Sequence, residues 1–264
     1  MSAVDKILNR RGTKKKPHHE DYKKIYYPES QVGDFTDIDG TIAFYTRINS
    51  ILTSSSIVLD FGCGRGDYAE DKVPIRRQLR IFKGRVRKVI GVDVDKSAST
   101  NPCIDEFHVI AGVQTGLDDD SIDVCICDNV IEHIDIVESF FFEVRRIIKD
   151  QGYLCIRTPN LWNYIAIFSK IVPNKFHYSI ITKIQNGRKK EDIFPVYYRC
   201  NTISKLNSLL DYYGFKHRVV YGYEAEPSYL SFSRIAYFFG YLHQKFAPNF
   251  LKCTIFAFAQ LKKS

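Results

Sequence analysis

The chain has 264 residues, 45% of them hydrophobic, enough to bury the core of one sizeable domain and too many for a disordered chain. Lysine and arginine outnumber the acids by 38 to 30, and the net charge of +8 invites a polyanionic partner without naming one. Seven cysteines, at 63, 103, 125, 127, 155, 200 and 253, include no C-x-x-C pair, which argues against a zinc site and a disulfide framework and for a reducing, cytoplasmic setting.

Taken in chain order, residues 1–30 are rich in Lys, Arg, His and Pro and lack the apolar core of a signal peptide; they predict a loose basic arm, 1–34, ahead of a single domain over 35–264. Ile38, Ile42, Tyr45, Ile48 and Leu52 fall on one face of a helix spanning about 37–52. A short apolar strand at 57–61 runs into glycines at 62, 64 and 66. A short helix and a basic stretch without an acid between Lys72 and Lys88 then lead to a second strand at 88–93. Residues 106–111 and 121–128 read as the third and fourth strands. Val137, Phe140, Phe141, Val144 and Ile148 repeat at helical spacing, with Gln151-Gly152 as the stop, and 152–158 is a fifth strand ended by Pro159. Strands alternating with helices predict a parallel sheet covered on both faces. A helix over 202–213 follows, stopped by Gly214, and two late strands at 217–223 and 253–260 suit an antiparallel pair separated by an aromatic helical insertion, 226–250. No run of about 18 uncharged apolar residues predicts a transmembrane helix.

The segment from Ile57 to Asp67, IVLDFGCGRGD, carries the most chemistry. Glycine at alternate positions lets the backbone turn sharply and keeps side chains away from a bulky ligand. Asp60 brings a fixed negative charge into that turn, which suits a cationic ligand better than a pyrophosphate. Asp67 stands where G-x-G-x-x-G would place its third glycine, which disfavours an NAD enzyme. An acid at the tip of strand two can accept hydrogen bonds from ribose hydroxyls about 20 residues after the glycines. Asp93, with Val94 beside it, is that acid, at a spacing of 27 residues from Gly66; Asp95 is its rival. Asp128, Asn129 and Val130 leave strand four at the same sheet edge, followed by Glu132 and His133. His133 could serve as a general base near neutral pH, or could order the loop by hydrogen bonding.

On these motifs the chain resembles the class I S-adenosylmethionine-dependent methyltransferases, whose first motif reads acid-x-Gly-x-Gly-x-Gly and whose small-molecule members end motif four in Glu-His plus an apolar residue, here Ile134. The resemblance implies a Rossmann-like seven-stranded α/β sheet in the order 3-2-1-4-5-7-6, strand seven antiparallel, with helices on both faces. It implies S-adenosylmethionine as cofactor, held by Asp60, Gly62, Gly64, Gly66, Asp93, Val94, Asp128, Asn129 and Val130, and no metal. The Asn/Asp-Pro-Pro-aromatic tetrad of enzymes that methylate base amino groups is absent, which argues against N6-adenine or N4-cytosine chemistry.

An acceptor-side insertion, 159–199, carries Trp162, Tyr164, His177, Tyr197, Tyr198 and Arg199, aromatic faces with polar tips of the kind a sugar requires. His177 is the second candidate base. Its Thr-Pro-Asn, Pro-x-x-Phe-His and Phe-Pro-x-Tyr-Tyr-Arg steps look like methyltransferases associated with bacterial surface-glycan synthesis. The expected acceptor is a sugar or other small-molecule hydroxyl, free or lipid-linked, with peripheral contact at the inner face of a membrane as one option. RNA methylation on the basic surface is the disfavoured alternative, since no motif interleaves basic and aromatic residues. A non-catalytic binding subunit is the third.

Overall fold

The computed structural model describes residues 19–163 and 195–263. A seven-stranded sheet runs β3-β2-β1-β4-β5-β7-β6. Its strands are β1 (Ile57–Phe61), β2 (Lys88–Asp93), β3 (Glu106–Val109), β4 (Ile122–Asp128), β5 (Ile148–Pro159), β6 (Phe215–Tyr223) and β7 (Thr254–Leu261). The first five pair in parallel, and β7 lies antiparallel to both β5 and β6. This is the order and sense that the family resemblance implied.

The helices are α1 (His19–Tyr26), α2 (Gly40–Ile51), α3 (Pro74–Arg80), α4 (Val137–Ile147), α5 (Ile203–Tyr212) and α6 (Arg234–Phe246). Central strands covered on both faces are apolar throughout, and alternation along each strand splits the core in two. Leu59, Cys125, Cys127, Leu154 and Ile156 face α4 and α5 and pack with Phe140, Phe141, Val144 and Leu206. Val58, Val89, Val124, Ile126 and Cys155 face the other way, against Phe44, Tyr45 and Ile48 of α2. Cys125, Cys127 and Cys155 are fully buried in these layers, as small hydrophobes in strands would be.

Two boundaries differ from expectation. The basic arm is folded from His19 onward: Tyr22, Tyr26 and Tyr27 of α1 and its exit pack on Tyr237 and Tyr241 of α6, with ring centroids 5.1–5.9 Å apart. A charge-weighted reading hides this, because three tyrosines are scattered among lysines. Strand five begins at Ile148, before Gln151-Gly152, because Ile148 already pairs with Ile122; a register shift then absorbs the turn at Gln151. Lys14–Lys16, Tyr164, His177 and Arg188–Lys190 lie outside the described residues.

Phe140 is fully buried and meets Phe61 edge-on at 5.1 Å and Phe141 at 5.4 Å. Phe140→Ala should therefore cost about 3–5 kcal/mol, read as a lowered urea midpoint at unchanged slope.

Candidate active site

Because β1, β2, β4 and β5 are parallel, their carboxyl ends share one edge, and the strand order reverses between β1 and β4. That is where an open α/β sheet leaves a crevice. The three glycines after β1 all have positive φ, between 53° and 79°, but for different reasons. A Cβ at Gly62 would stand 2.4 Å from Val130 Cγ2, and one at Gly66 would stand 2.3 Å from Asn101 Oδ1. At Gly64 a Cβ would meet nothing within 4 Å. Gly62 and Gly66 are thus demanded by packing, whereas Gly64 opens onto the crevice.

The turn is held from both sides. Gly62 and Cys63 donate their amides to Val92 O at 2.8 and 3.1 Å, and Gly64 N donates to Asp93 Oδ2 at 2.9 Å. Asp93 Oδ1 accepts from Asp95 N at 2.9 Å, so each carboxylate oxygen keeps acceptor capacity beyond its one amide partner. Asp95, the rival of Asp93, accepts from Ser97 N at 2.9 Å and from the Ser97 hydroxyl. Val94 is exposed beside it. Buried Asn101 closes the turn, donating to Cys63 O at 3.0 Å and Gly64 O at 3.2 Å and accepting from Cys103 N at 2.9 Å. Sequence reasoning missed Asn101, since a lone Asn before Pro carries no periodicity and no motif.

Asp128 sits differently from its neighbours. Arg157 binds it bidentately, Nε to Oδ1 and Nη2 to Oδ2, both at 2.6 Å; Tyr45 Oη donates to Oδ2 at 2.9 Å and Asn129 Nδ2 to Oδ1 at 2.9 Å. Burial opposes its ionisation, but the Arg157 charge and hydrogen bonds hold its carboxyl below the usual range. Asp128 thus accepts four hydrogen bonds within the protein, and the chain leaves it through the exposed Asn129 (φ 55°) and the half-buried Val130.

Asp60 is the opposite case. Burial raises its carboxyl to about 7, with Asp128 and Asp93 adding to the rise and Arg80 opposing it. Arg80, at the end of α3, was grouped by sequence with a basic surface. Its guanidinium instead turns inward, 4.3 Å from the Tyr68 ring centroid and 5.3 Å from that of Tyr45, and its buried Nε has no hydrogen-bond partner. Most of the remaining basic stretch is also engaged. Arg76 pairs with Asp71 and Asp39, Lys88 pairs with Glu106, and Lys83 donates to Ile104 O.

The β4 loop brings His133 to the C-terminal part of the 159–199 insertion. Its Nδ1 lies 2.7 Å from Pro195 O. A carbonyl only accepts, so Nδ1 carries the proton and the lone pair of the neutral ring is on Nε2. Glu132, buried beside it, accepts from Thr158 Oγ1 at 2.9 Å, and burial raises its carboxyl above the ordinary range. Tyr197 N donates to Glu132 O at 2.8 Å, and Trp162, near the start of the insertion, is exposed.

Residues 59–156 match the protein family described as Methyltransferase domain. No curated protein matches the chain. Among solved structures, a SAM-dependent methyltransferase from Archaeoglobus fulgidus is 20% identical, with 88% of this chain and 97% of that one covered and a TM-score of 0.51. A SAM-dependent methyltransferase from Thermotoga maritima is 15% identical, covering 93% and 100%, TM-score 0.52. One from Mesorhizobium loti is 14% identical, covering 83% and 97%, TM-score 0.52. At such identities the likeness is one of fold.

The Asp128–Arg157 pair, with side chains only 8% and 12% exposed, sets a stability prediction. Arg157→Met should destabilise by about 3–5 kcal/mol by stranding a buried carboxylate. The double variant Arg157→Met/Asp128→Leu should recover most of that loss in chemical denaturation; equal losses in both would mean that the pair is not the cause.

Proposed function

We propose that this protein, an S-adenosylmethionine-dependent methyltransferase by its matched domain and fold, methylates a hydroxyl on a sugar or other small molecule. The observation that carries the reading is the turn at the β1/β4 reversal, where Gly64 has open space over it, Asp93 holds its amide and the buried Asp60 ends β1 beside it. These residues fit the cofactor. Asp93 has lone pairs for ribose hydroxyls, Asp60 supplies negative charge toward a cation, and Arg80 offers an N–H that lacks an acceptor and would take an anionic group such as a carboxylate. When bound, S-adenosylmethionine supplies a methyl group already activated as a sulfonium, so the protein's task is proximity, alignment and exclusion of water.

The oxygen chemistry falls to His133. With Nδ1–H held by Pro195 O, Nε2 is the atom that would accept the hydroxyl proton as the oxygen is alkylated. Buried Glu132 lies beside it, Oε1 4.0 Å from Nε2. The same bond to Pro195 ties the loop after β4 to the segment at 195. The exposed Trp162 and Tyr197, near the two ends of the insertion, suit stacking on a sugar ring. The Glu-His step and the motifs of the insertion support an acceptor from surface-glycan synthesis, free or lipid-linked.

Asp60 yields a pH signature. The charged form prevails only above about 7, so affinity for a cationic cofactor should weaken as pH falls from 8 to 6. The drop should reach about tenfold by calorimetry and be flattened in Asp60→Asn, because the ionised fraction falls by roughly that factor across one unit either side of the pKa.

The reaction itself is tested with methyl-labelled S-adenosylmethionine and separated polysaccharide, lipid-linked sugar, RNA, protein and metabolite fractions. Label should enter the glycan or small-molecule fractions and vanish in Asp93→Ala. His133→Ala should cost about 10²–10⁴-fold in kcat with cofactor affinity unchanged. Label in RNA would overturn the acceptor, and cofactor binding without any labelled product would point to a non-catalytic subunit.

A further inference from the structure

We infer that α6 is an interfacial helix whose outward face seats the protein on an anionic membrane surface, a property independent of which acceptor is methylated. The helix is apolar on two opposite sides. Tyr237, Gly240 and Tyr241 face inward: Tyr237 and Tyr241 pack on the tyrosines of α1, and a Cβ at Gly240 would strike Pro227 at 2.5 Å. Ile235, Phe238, Phe239, Leu242 and Phe246 fall within about 100° of one another on the opposite side, at 3.6 residues per turn. Ile235 is 70% exposed, Phe239 62% and Phe246 79%. The stripe continues beyond the helix, where Phe232 and Phe250 are also largely exposed.

A helix that only covered a sheet would turn one apolar stripe inward and polar residues out. Here the outward stripe is the more aromatic of the two, and it is longer than scattered surface hydrophobics produce.

Charge decides the occupant. Glu226 is the last acid of the chain, and its carboxylate is taken up by Thr36. Arg234 and Lys245, both exposed, project on one flank of the stripe, and His243 on the other lies 3.6 Å from the buried Glu224. Cationic residues along an aromatic stripe match a surface of anionic headgroups over hydrocarbon, with each Lys or Arg adding to the attraction. A second copy fits less well: a two-fold contact would bring Arg234 and Lys245 of one helix near those of the other. Among the described residues no helix is long and apolar enough to cross a membrane, and α6 has 13 residues, so the contact lies in the interface plane.

The test uses the purified full chain and sedimentation with vesicles of phosphatidylcholine alone or mixed with one third phosphatidylglycerol. Binding should be at least about tenfold stronger to the anionic vesicles and should fall with added salt. Ile235→Ser/Phe239→Ser should lower it at least about tenfold, with melting temperature and cofactor affinity unchanged because both side chains are exposed. Arg234→Gln/Lys245→Gln should remove most of the salt dependence. Failure to bind anionic vesicles, or equal binding by the serine variant, overturns the inference. So does a concentration-dependent dimer, seen by sedimentation velocity and abolished by that variant, which would assign the face to a second copy.

Discussion

The bidentate pair between Arg157 and Asp128 ties together more of this molecule than any other contact. It joins the ends of β4 and β5, and through Tyr45 and Thr41 it draws α2 down over them. Burying both charges is expensive, and only near-ideal geometry with every remaining lone pair satisfied repays the desolvation. The pair also sets where the chain leaves β4. Asn129, in the left-handed region, donates its amide to Arg157 O at 2.8 Å, and the turn so fixed lays Val130 against Gly62. The glycine loop, the β4 loop and the helical cover therefore take their positions from one ion pair.

Beside this satisfied pair, the crevice holds two acids of different character. Asp93 is preorganised by backbone amides, and Asp60 is held by burial near the edge of ionisation, with one arginine turned in among them. Fixed dipoles and charges placed before a ligand arrives need no reorganisation when it does. Such an arrangement stores unfavourable desolvation in the free protein, which a cation then relieves.

The sheet could be read from the sequence because parallel strands are continuous apolar runs and end abruptly in acids or glycines. Ile57–Phe61 and Lys88–Asp93 match to the residue for that reason. That Asp60, Gly64 and Asp93 share one sheet edge was legible, since strand order alone brings them together. The packing partners of Asp128 and Arg80 were not. Whether a carboxylate faces a ligand or a guanidinium depends on a partner 29 residues away in the next strand, and whether an arginine faces water or two tyrosines depends on helix rotation. Asn101 left no trace at all, because a side-chain clamp on a backbone carbonyl has no period. The tyrosines of α1 were hidden for a related reason: their complement lies on α6, far away in the chain, and the surrounding lysines dominate the local composition.

The acceptor-side insertion leaves and rejoins the domain at a single place. Leu161 N donates to Asn201 O at 2.8 Å, Asn201 reaches back to Thr158 and Pro159, and Asn160 is fastened to Phe250 and Lys252. With both ends clamped side by side, the length of chain between them is nearly free of thermodynamic consequence, since doubling a closed loop costs only about 0.6 kcal/mol. The domain thus behaves as a socket. The chain between the clamps could be lengthened, shortened or replaced while the sheet edge below goes on folding as before.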